Sequence, residues 1–333
     1  MSFRASVVRS VSGMLYHSGL VGPIARGVAF THPRPRVPIL AFHRVNDDDD
    51  PFMPSLPTAV FAAHMAHIAR HYRVLTVEEL AERLQEGRVP RNALALTFDD
   101  GYRDNLTHAA PILKRLGLPA TVFLVTGHIG TPQALWFDRL AMAFKAAAAR
   151  RVALGEGRLL SLGTVGERLA GLDAALAHLK RVSDEERSAS VERLIAALHP
   201  NSERPKRLML SWDEVDALRG LGFSIGAHTV THPILSRLSP DRAWEEIHGS
   251  KAAIEKALGD PVRAFAYPNG RSENYNETVT RLVRDAGFTC ALTTRRGLND
   301  IDTPVLELRR GGPWEHHLPT FALKLAYYSA TGA

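Results

Sequence analysis

Residues Leu94–Tyr102, Leu-Ala-Leu-Thr-Phe-Asp-Asp-Gly-Tyr, restrict the fold more than any other stretch of the chain. A short apolar run stopped by a Gly turn reads as a buried strand. Asp99 and Asp100 therefore sit at its C-terminal end, where parallel sheets and barrels gather their chemistry. Side chains of neighbouring strand residues point to opposite faces, which lets one carboxylate reach a metal while the other approaches a nucleophile, and the turn that follows can change this.

The stretches around this strand set its context. Val37–Phe42 reads as a strand ending at His43-Arg44, followed by the acidic loop Asp47–Asp50, taken as a solvated turn rather than a cation site. Thr58–Tyr72 has helical spacing, with Phe61, Met65 and Ile68 on its apolar face, and His64, His67 and His71 read as a surface stripe. Thr76–Gln85 is a second helix with a Thr cap. Asn105–Leu116 and Ala120–Val125 then give helix and strand, so the unit is βαβ and the sheet parallel. From Trp136 to about Pro205 the pattern changes to Ala/Leu/Arg-rich helices, read as an insertion of roughly 133–205. After the capping signature Ser211–Glu214 the rhythm resumes: strand Phe223–Ala227, helix Pro240–Leu258, strand Arg263–Tyr267, helix Glu277–Ala286 and strand Thr289–Leu292. The alternation predicts an α/β barrel or a closely related parallel sheet.

Composition narrows the class. With 333 residues and 45% hydrophobic content the chain can bury a large core. The net charge of +6 suits an anionic partner, but no long Lys/Arg run or basic-aromatic stripe is present, and no nucleic acid is expected. A single Cys290 excludes an intrachain disulfide framework and a cysteine-rich zinc site. Residues 1–35 form an N-terminal segment with amphipathic-helix character, which leaves peripheral membrane contact open. No run reaches about 18 apolar residues, and residues 1–30 lack a clean signal-peptide pattern. The expectation is a cytoplasmic or peripherally membrane-associated chain, with 36–320 as the catalytic domain and 321–333 as a C-terminal tail.

A second constellation, Gly226-Ala-His228-Thr-Val-Thr-His232-Pro, also follows a strand. Two histidines at i and i+4 face one ion if the turn between them is helical. Two imidazoles and one carboxylate make three protein ligands with positions left open, the pattern of a catalytic rather than a structural metal. The remaining carboxylate then suits a general base toward water whose pKa the ion lowers. A third strand runs into Phe265-Ala-Tyr-Pro-Asn-Gly270, a turn that can aim backbone N–H groups at an oxyanion.

Together these stretches resemble the polysaccharide deacetylase family with the NodB homology domain, carbohydrate esterase family 4. Thr97–Tyr102 matches its first motif and His228–His232 its second. His43-Arg44-Val45 and Phe265–Gly270 resemble stretches of one branch, and the likeness covers about 36–312. The resemblance implies a distorted, incomplete (β/α) TIM-like barrel carrying the helical insertion. It implies Asp99 as catalytic base and Asp100, His228 and His232 as ligands of one divalent ion, Zn2+ before Co2+, Ni2+ or Mn2+. The implied reaction is hydrolysis of acetyl groups on an acetylated glycan: exopolysaccharide, peptidoglycan or chitin-like. Ala266 and Asn269 stand where many relatives have Arg and Tyr. The Asn269 N–H keeps the oxyanion role, and the arginine that orients the base is assigned to Arg309, with Arg310 as alternate, on a late strand Leu306–Arg310. His43, Tyr102, Tyr267 and Pro268 are assigned to substrate. No Leu-x-His acid is evident, His316-His317 read as surface residues, and the general acid stays open. A glycan-binding relative without turnover and a hydrolase of small cyclic amides are the alternatives.

Overall fold

The computed structural model describes residues 3–23, 27, 34–155, 157–201 and 207–332. Seven parallel strands form its main sheet: β1 (Ile39–Phe42), β2 (Arg73–Leu75), β3 (Ala93–Phe98), β4 (Thr121–Leu124), β7 (Ser224–Ala227), β8 (Ala264–Ala266) and β9 (Cys290–Leu292). Their order is β1-β3-β4-β7-β8-β9, with β2 paired to β3. Ala95 lies opposite both Ile39 and Leu75, so β1 and β2 flank β3, and β2 and β4 share one of its edges. No strand pairing joins β9 to β1. Irregular chain spans that gap: Leu308 bridges to Leu292, Asn299 to Val37, and the Gly311 N–H donates to Ile39 at 3.0 Å. The architecture is a parallel sheet curled into the incomplete barrel that the family resemblance implied.

The strand sequences explain which side chains enter the barrel. In β3 the small residues Ala93, Ala95 and Thr97 alternate with Leu94, Leu96 and Phe98. The larger set packs outward with Phe42, Phe61, Met65 and Ile68, the last three on α2 (Thr58–His71). Ala93 and Ala95 share the inner core with Ile39, Phe123, Ala264, Ala266 and Leu292, and α3 (Val77–Gln85) presents Val77, Leu80 and Leu84 to the same cluster. Burying one such Leu or Phe contributes about 2 kcal/mol. Continuing the alternation, Asp99 follows Thr97 into the barrel, where the alanines leave room for a polar group.

The remaining helices of the barrel are α4 (Ala110–Leu116), α8 (Trp212–Gly220), α9 (Pro240–Leu258) and α10 (Glu277–Asp285). The predicted helix over Asn105–Leu116 opens with a wider, π-type segment at Asn105–Ala109. The expected late strand Leu306–Arg310 is instead a 3₁₀ turn, Val305–Glu307, followed by extended chain that keeps only the Leu292–Leu308 bridge.

The inserted region carries α5 (Trp136–Lys145), α6 (Val165–Leu179) and α7 (Asp184–Leu198) around a core of Leu140, Phe144, Leu172, Val191 and Leu194. It is not purely helical. An antiparallel hairpin, β5 (Arg151–Leu154) with β6 (Arg158–Ser161), buries Val152, Leu154 and Leu160 in that core. Two expectations at the chain's ends and surface are corrected. Residues assigned to a C-terminal tail belong to α11 (Leu318–Thr331), whose Phe321, Leu325 and Tyr328 are buried. That helix packs on α1 (Phe3–His17) and on α2, and it covers the histidines read as a surface stripe: His64 and His67 are buried, His64 stacking on Phe321 at 3.7 Å. The acidic run Asp47–Asp50 is a turn as read. Asp47 accepts from the Thr58 N–H at the start of α2, and Asp50 pairs with Lys145.

Candidate metal centre and catalytic pair

The site forms at the C-terminal ends of β3, β7 and β8. After β3 the chain turns through two consecutive left-handed residues, Asp100 (φ 77°) and Gly101 (φ 81°). A Cβ at Gly101 would lie 3.0 Å from Leu124 and 3.1 Å from Ile129, so both the dihedral and the space call for glycine. The turn brings together two carboxylates that a continuing strand would have parted.

After β7, Thr229 (φ 68°) and His232 (φ 61°) coil the second motif so that both imidazoles face Asp100. The loop is tied from below. Buried Glu246 on α9 accepts from the Val230 and Thr231 N–H groups at 2.8 Å and from the Thr231 hydroxyl at 2.7 Å, and the His232 N–H donates to Thr229 Oγ1. Each Nε2 then lies 3.6 Å from Asp100 Oδ1. The His228 Nδ1 sits 2.6 Å from the Ala266 carbonyl, which can only accept; the proton is therefore on Nδ1 and the Nε2 lone pair is free. Burial, against the pull of Asp99, lowers His228 to about 4, and burial together with His228 takes His232 well below its ordinary value. Both rings are neutral at pH 7, as ligation requires.

Asp100 shows the complementary signature. Its Oδ1 is buried without a hydrogen-bond partner, and burial, then Asp99 and Asp138, push its pKa well above the carboxylate range. An orphaned carboxylate oxygen facing the Nε2 atoms of two neutral imidazoles, all within 4.8 Å of one another, fits a divalent cation, which would remove that penalty.

Asp99 has a different environment. Arg310 grips it in a two-point ion pair, Nη1 to Oδ1 at 2.7 Å and Nη2 to Oδ2 at 2.8 Å, while the Arg310 Nε donates to the Thr293 carbonyl. Burial alone would raise this carboxyl, but Arg310, with His228 and His43, holds it well below its usual range. The assignment of Arg309 is thereby corrected to its alternate. On the extended chain after the 3₁₀ turn Leu308 and Arg310 are both buried, and Arg309 between them points the other way, its side chain passing Gly297 and its backbone bonded to Asn299.

The third motif places Asn269 at φ 58°, with its carbonyl taken by the Thr294 hydroxyl and its N–H without an acceptor among the described residues. Its Nδ2 is buried and equally without a partner. His43 follows β1 at the exposed rim. Its carbonyl receives Asn105 Nδ2 at 2.8 Å, and the adjoining Arg44 and Asn46 both bind Asp104. Three residues assigned to substrate are placed elsewhere. Tyr102 is buried, its hydroxyl donating to Asp138 at 2.9 Å. Tyr267 stacks on Tyr275 inside the core and donates to the Leu306 carbonyl at 3.0 Å, and Pro268 is buried in the turn beside it. His316 is exposed and His317 caps toward Thr320, both away from the ligand set.

Sequence reasoning missed the reach of the insertion. Phe137 packs edge-on to His232 at 5.3 Å, and Asp138, raised to about 7 chiefly by burial, anchors Tyr102 two residues beyond Asp100. The first turn of α5 therefore touches both ligand-bearing turns. The spacing within Trp136-Phe137-Asp138 carries no signal of this. It depends on where α5 docks.

Comparison with known proteins agrees with this geometry. Residues 86–291 match the family model described as polysaccharide deacetylase. The chain is 22% identical to YxkH of Bacillus subtilis over 277 residues, covering 83% of this chain and 70% of that protein. It is 35% identical to a poly-beta-1,6-N-acetyl-D-glucosamine N-deacetylase of Staphylococcus epidermidis over 63 residues, about a fifth of each chain (19% and 22%). Among solved structures, the Streptococcus pyogenes deacetylase PplD in complex with acetate superposes with a TM-score of 0.56 at 21% identity, covering 83% of this chain and 91% of that one.

Proposed function

The chain belongs to the polysaccharide deacetylase family, and we propose that it hydrolyses N-acetyl groups of an exopolysaccharide-type glycan at a divalent metal held by Asp100, His228 and His232. The observation that carries this reading is the division of labour between adjacent carboxylates. Asp100 is buried with a bare oxygen facing two neutral imidazoles, and Asp99 is held ionised by Arg310.

A divalent ion held there, zinc being the best match to two imidazoles and a carboxylate, would supply Lewis acidity and would lower the pKa of water at the site. The protein does the rest. Asp99, kept unprotonated at neutral pH, accepts the water's proton as it attacks. Its orientation is fixed because both oxygens are bound by one planar guanidinium. The Asn269 N–H, fixed by the left-handed turn and without an acceptor among the described residues, donates to the oxyanion that develops on the carbonyl. As the amide carbon–nitrogen bond breaks, the proton taken up by Asp99 passes to the departing nitrogen, releasing acetic acid and the free amine of the sugar and leaving Asp99 ionised again. His43, on the rim and electrostatically coupled to Asp99, is the residue of the original substrate set that still faces an incoming glycan. The substrate class follows from the short but closer likeness to the staphylococcal N-deacetylase.

The test is acetate release from N-acetylglucosamine oligomers by purified protein, apo and zinc-loaded. Release that requires metal and disappears in Asp99→Asn is the expected result. Release from the apoprotein at the loaded rate would overturn the metal assignment, and no release from any acetylated glycan would overturn the substrate class.

A further inference from the structure

We propose that the layer formed by α1 and α11, together with Trp314 beside it, is a docking face for an anionic lipid bilayer. The inference does not depend on the acetyl chemistry. Among the described residues nine large hydrophobic side chains are exposed, and six of them belong to this layer: Val8, Val11, Met14, Leu20, Trp314 and Tyr327. Val8, Val11 and Met14 recur at i, i+3 and i+6, which puts them on one side of α1. The other side is already used. Ser12 is buried and bonded to Thr320 of α11 at 3.0 Å, while Leu15 and Tyr16 pack with Val21, Ala322 and Ala326. The exposed stripe is thus the face left over after α1 has docked on the protein.

Charge selects the occupant. The first 36 residues contain five arginines and no aspartate or glutamate; Arg34 pairs with Asp302, which leaves a formal excess of four positive charges at this end of the chain. On α1 itself Arg9 is exposed and pairs with no acidic group among the described residues. Apolar residues interleaved with cations suit an anionic bilayer, which attracts basic groups near its surface and takes up buried methylenes. A second copy of the chain would bring like charge against like charge. Trp314, 61% exposed, and Tyr327, 60% exposed, have the amphipathic rings that settle at the headgroup level. Among the described residues no helix is long and apolar enough to cross a membrane.

The position of Trp314 makes the face consequential. Its ring meets the Phe42 edge at 5.9 Å, and Phe42 immediately precedes His43 at the rim of the candidate site. Arg310 lies four residues earlier on the same segment. Docking through this layer holds the mouth of the barrel beside the bilayer.

Cosedimentation of the full chain with vesicles of phosphatidylglycerol and phosphatidylcholine tests the proposal, with phosphatidylcholine vesicles as control. The expected result is binding to the anionic vesicles that weakens with salt and falls by about tenfold or more in Val11→Asp/Met14→Asp and in Trp314→Ala. Circular dichroism and turnover of a soluble acetylated oligosaccharide should be unchanged in these variants, which alter only exposed positions. Absence of binding to anionic vesicles, binding equal in the variants, or a dimer in light scattering that Val11→Asp/Met14→Asp dissociates would overturn it.

Discussion

Two groups of histidines are buried in this protein, and only one of them is arranged to hold a metal. His228 and His232 stand at a strand end; His64 and His67 run along α2, with His71 half-buried beyond them. In both groups burial comes first among the causes that pull ring pKa values down, to about 4 for His228, His64 and His67 alike. Loss of basicity therefore does not distinguish a ligand. What differs is the partner. The first pair converges on a carboxylate oxygen with nothing else bound to it, and one of its rings is oriented by a backbone carbonyl. The helical group meets aromatic faces: Phe321 on His64, and Tyr16 and His71 beside His67. Neutral imidazoles become a site only where an anion and a fixed tautomer accompany them.

The sharpest way to break this comparison is to count metal. His232→Ala or Asp100→Asn should abolish both stoichiometric metal, read by elemental analysis, and turnover, whereas His64→Ala or His67→Ala should retain one ion per chain. A helix variant that loses the ion would erase the distinction. Next in size, Asp99→Asn should keep the metal and lower kcat by about 10²–10⁴-fold, the loss expected for a positioned general base. If that variant is apo, the two carboxylates have exchanged roles.

Arg310→Met removes the counter-ion of a buried carboxylate and should cost about 3–5 kcal/mol of stability. Asp99 is depressed in the folded state, so its contribution is present above its unfolded pKa of about 3.9 and is lost as pH falls through the lower folded value. In the variant its pKa rises, and the acidic limb of the pH–rate profile should move to higher pH. Arg309→Met should leave both stability and profile in place. The smallest effect belongs to the helical histidines. His64 is held down in the fold, so stability is full above pH 6.5 and declines as pH drops from there toward 4. The loss is about 2 kcal/mol for such a ring at pH 5. His64→Phe should remove that share of the acid-induced fall in Tm. A melting curve with unchanged pH dependence would show that His64 does not couple stability to pH.

Most of the ligand set was legible because its signals are local. Strand, Asp-Asp-Gly and His-x-x-x-His are each contiguous, and the βα rhythm aligns the ends of their strands. The arginine was misassigned by one position although a signal existed: Leu308 and Arg310 alternate on extended chain, and the apolar Leu308 marks the inner face. The same holds for α11, whose Phe321, Leu325 and Tyr328 have helical spacing, and for β5 and β6, whose short runs flank a Gly-Glu-Gly turn. Other features had no local trace. His64 and His67 are covered by a helix some 250 residues later in the chain, and Phe137 and Asp138 reach the site only because α5 docks where it does. Burial created by distant segments is a property of the assembled fold.

The two-point ion pair joins residues 211 positions apart. During synthesis, Asp99 leaves the ribosome long before Arg310, and until the later residue arrives a buried carboxylate at the end of β3 has no counter-ion. The strand end therefore gains its full stability only when the closing segment Asn299–Arg310 lays down across the gap between β9 and β1. A nascent chain that ends before Arg310 therefore carries Asp100, His228 and His232, the candidate ligands, but not the ion pair that holds Asp99 ionised.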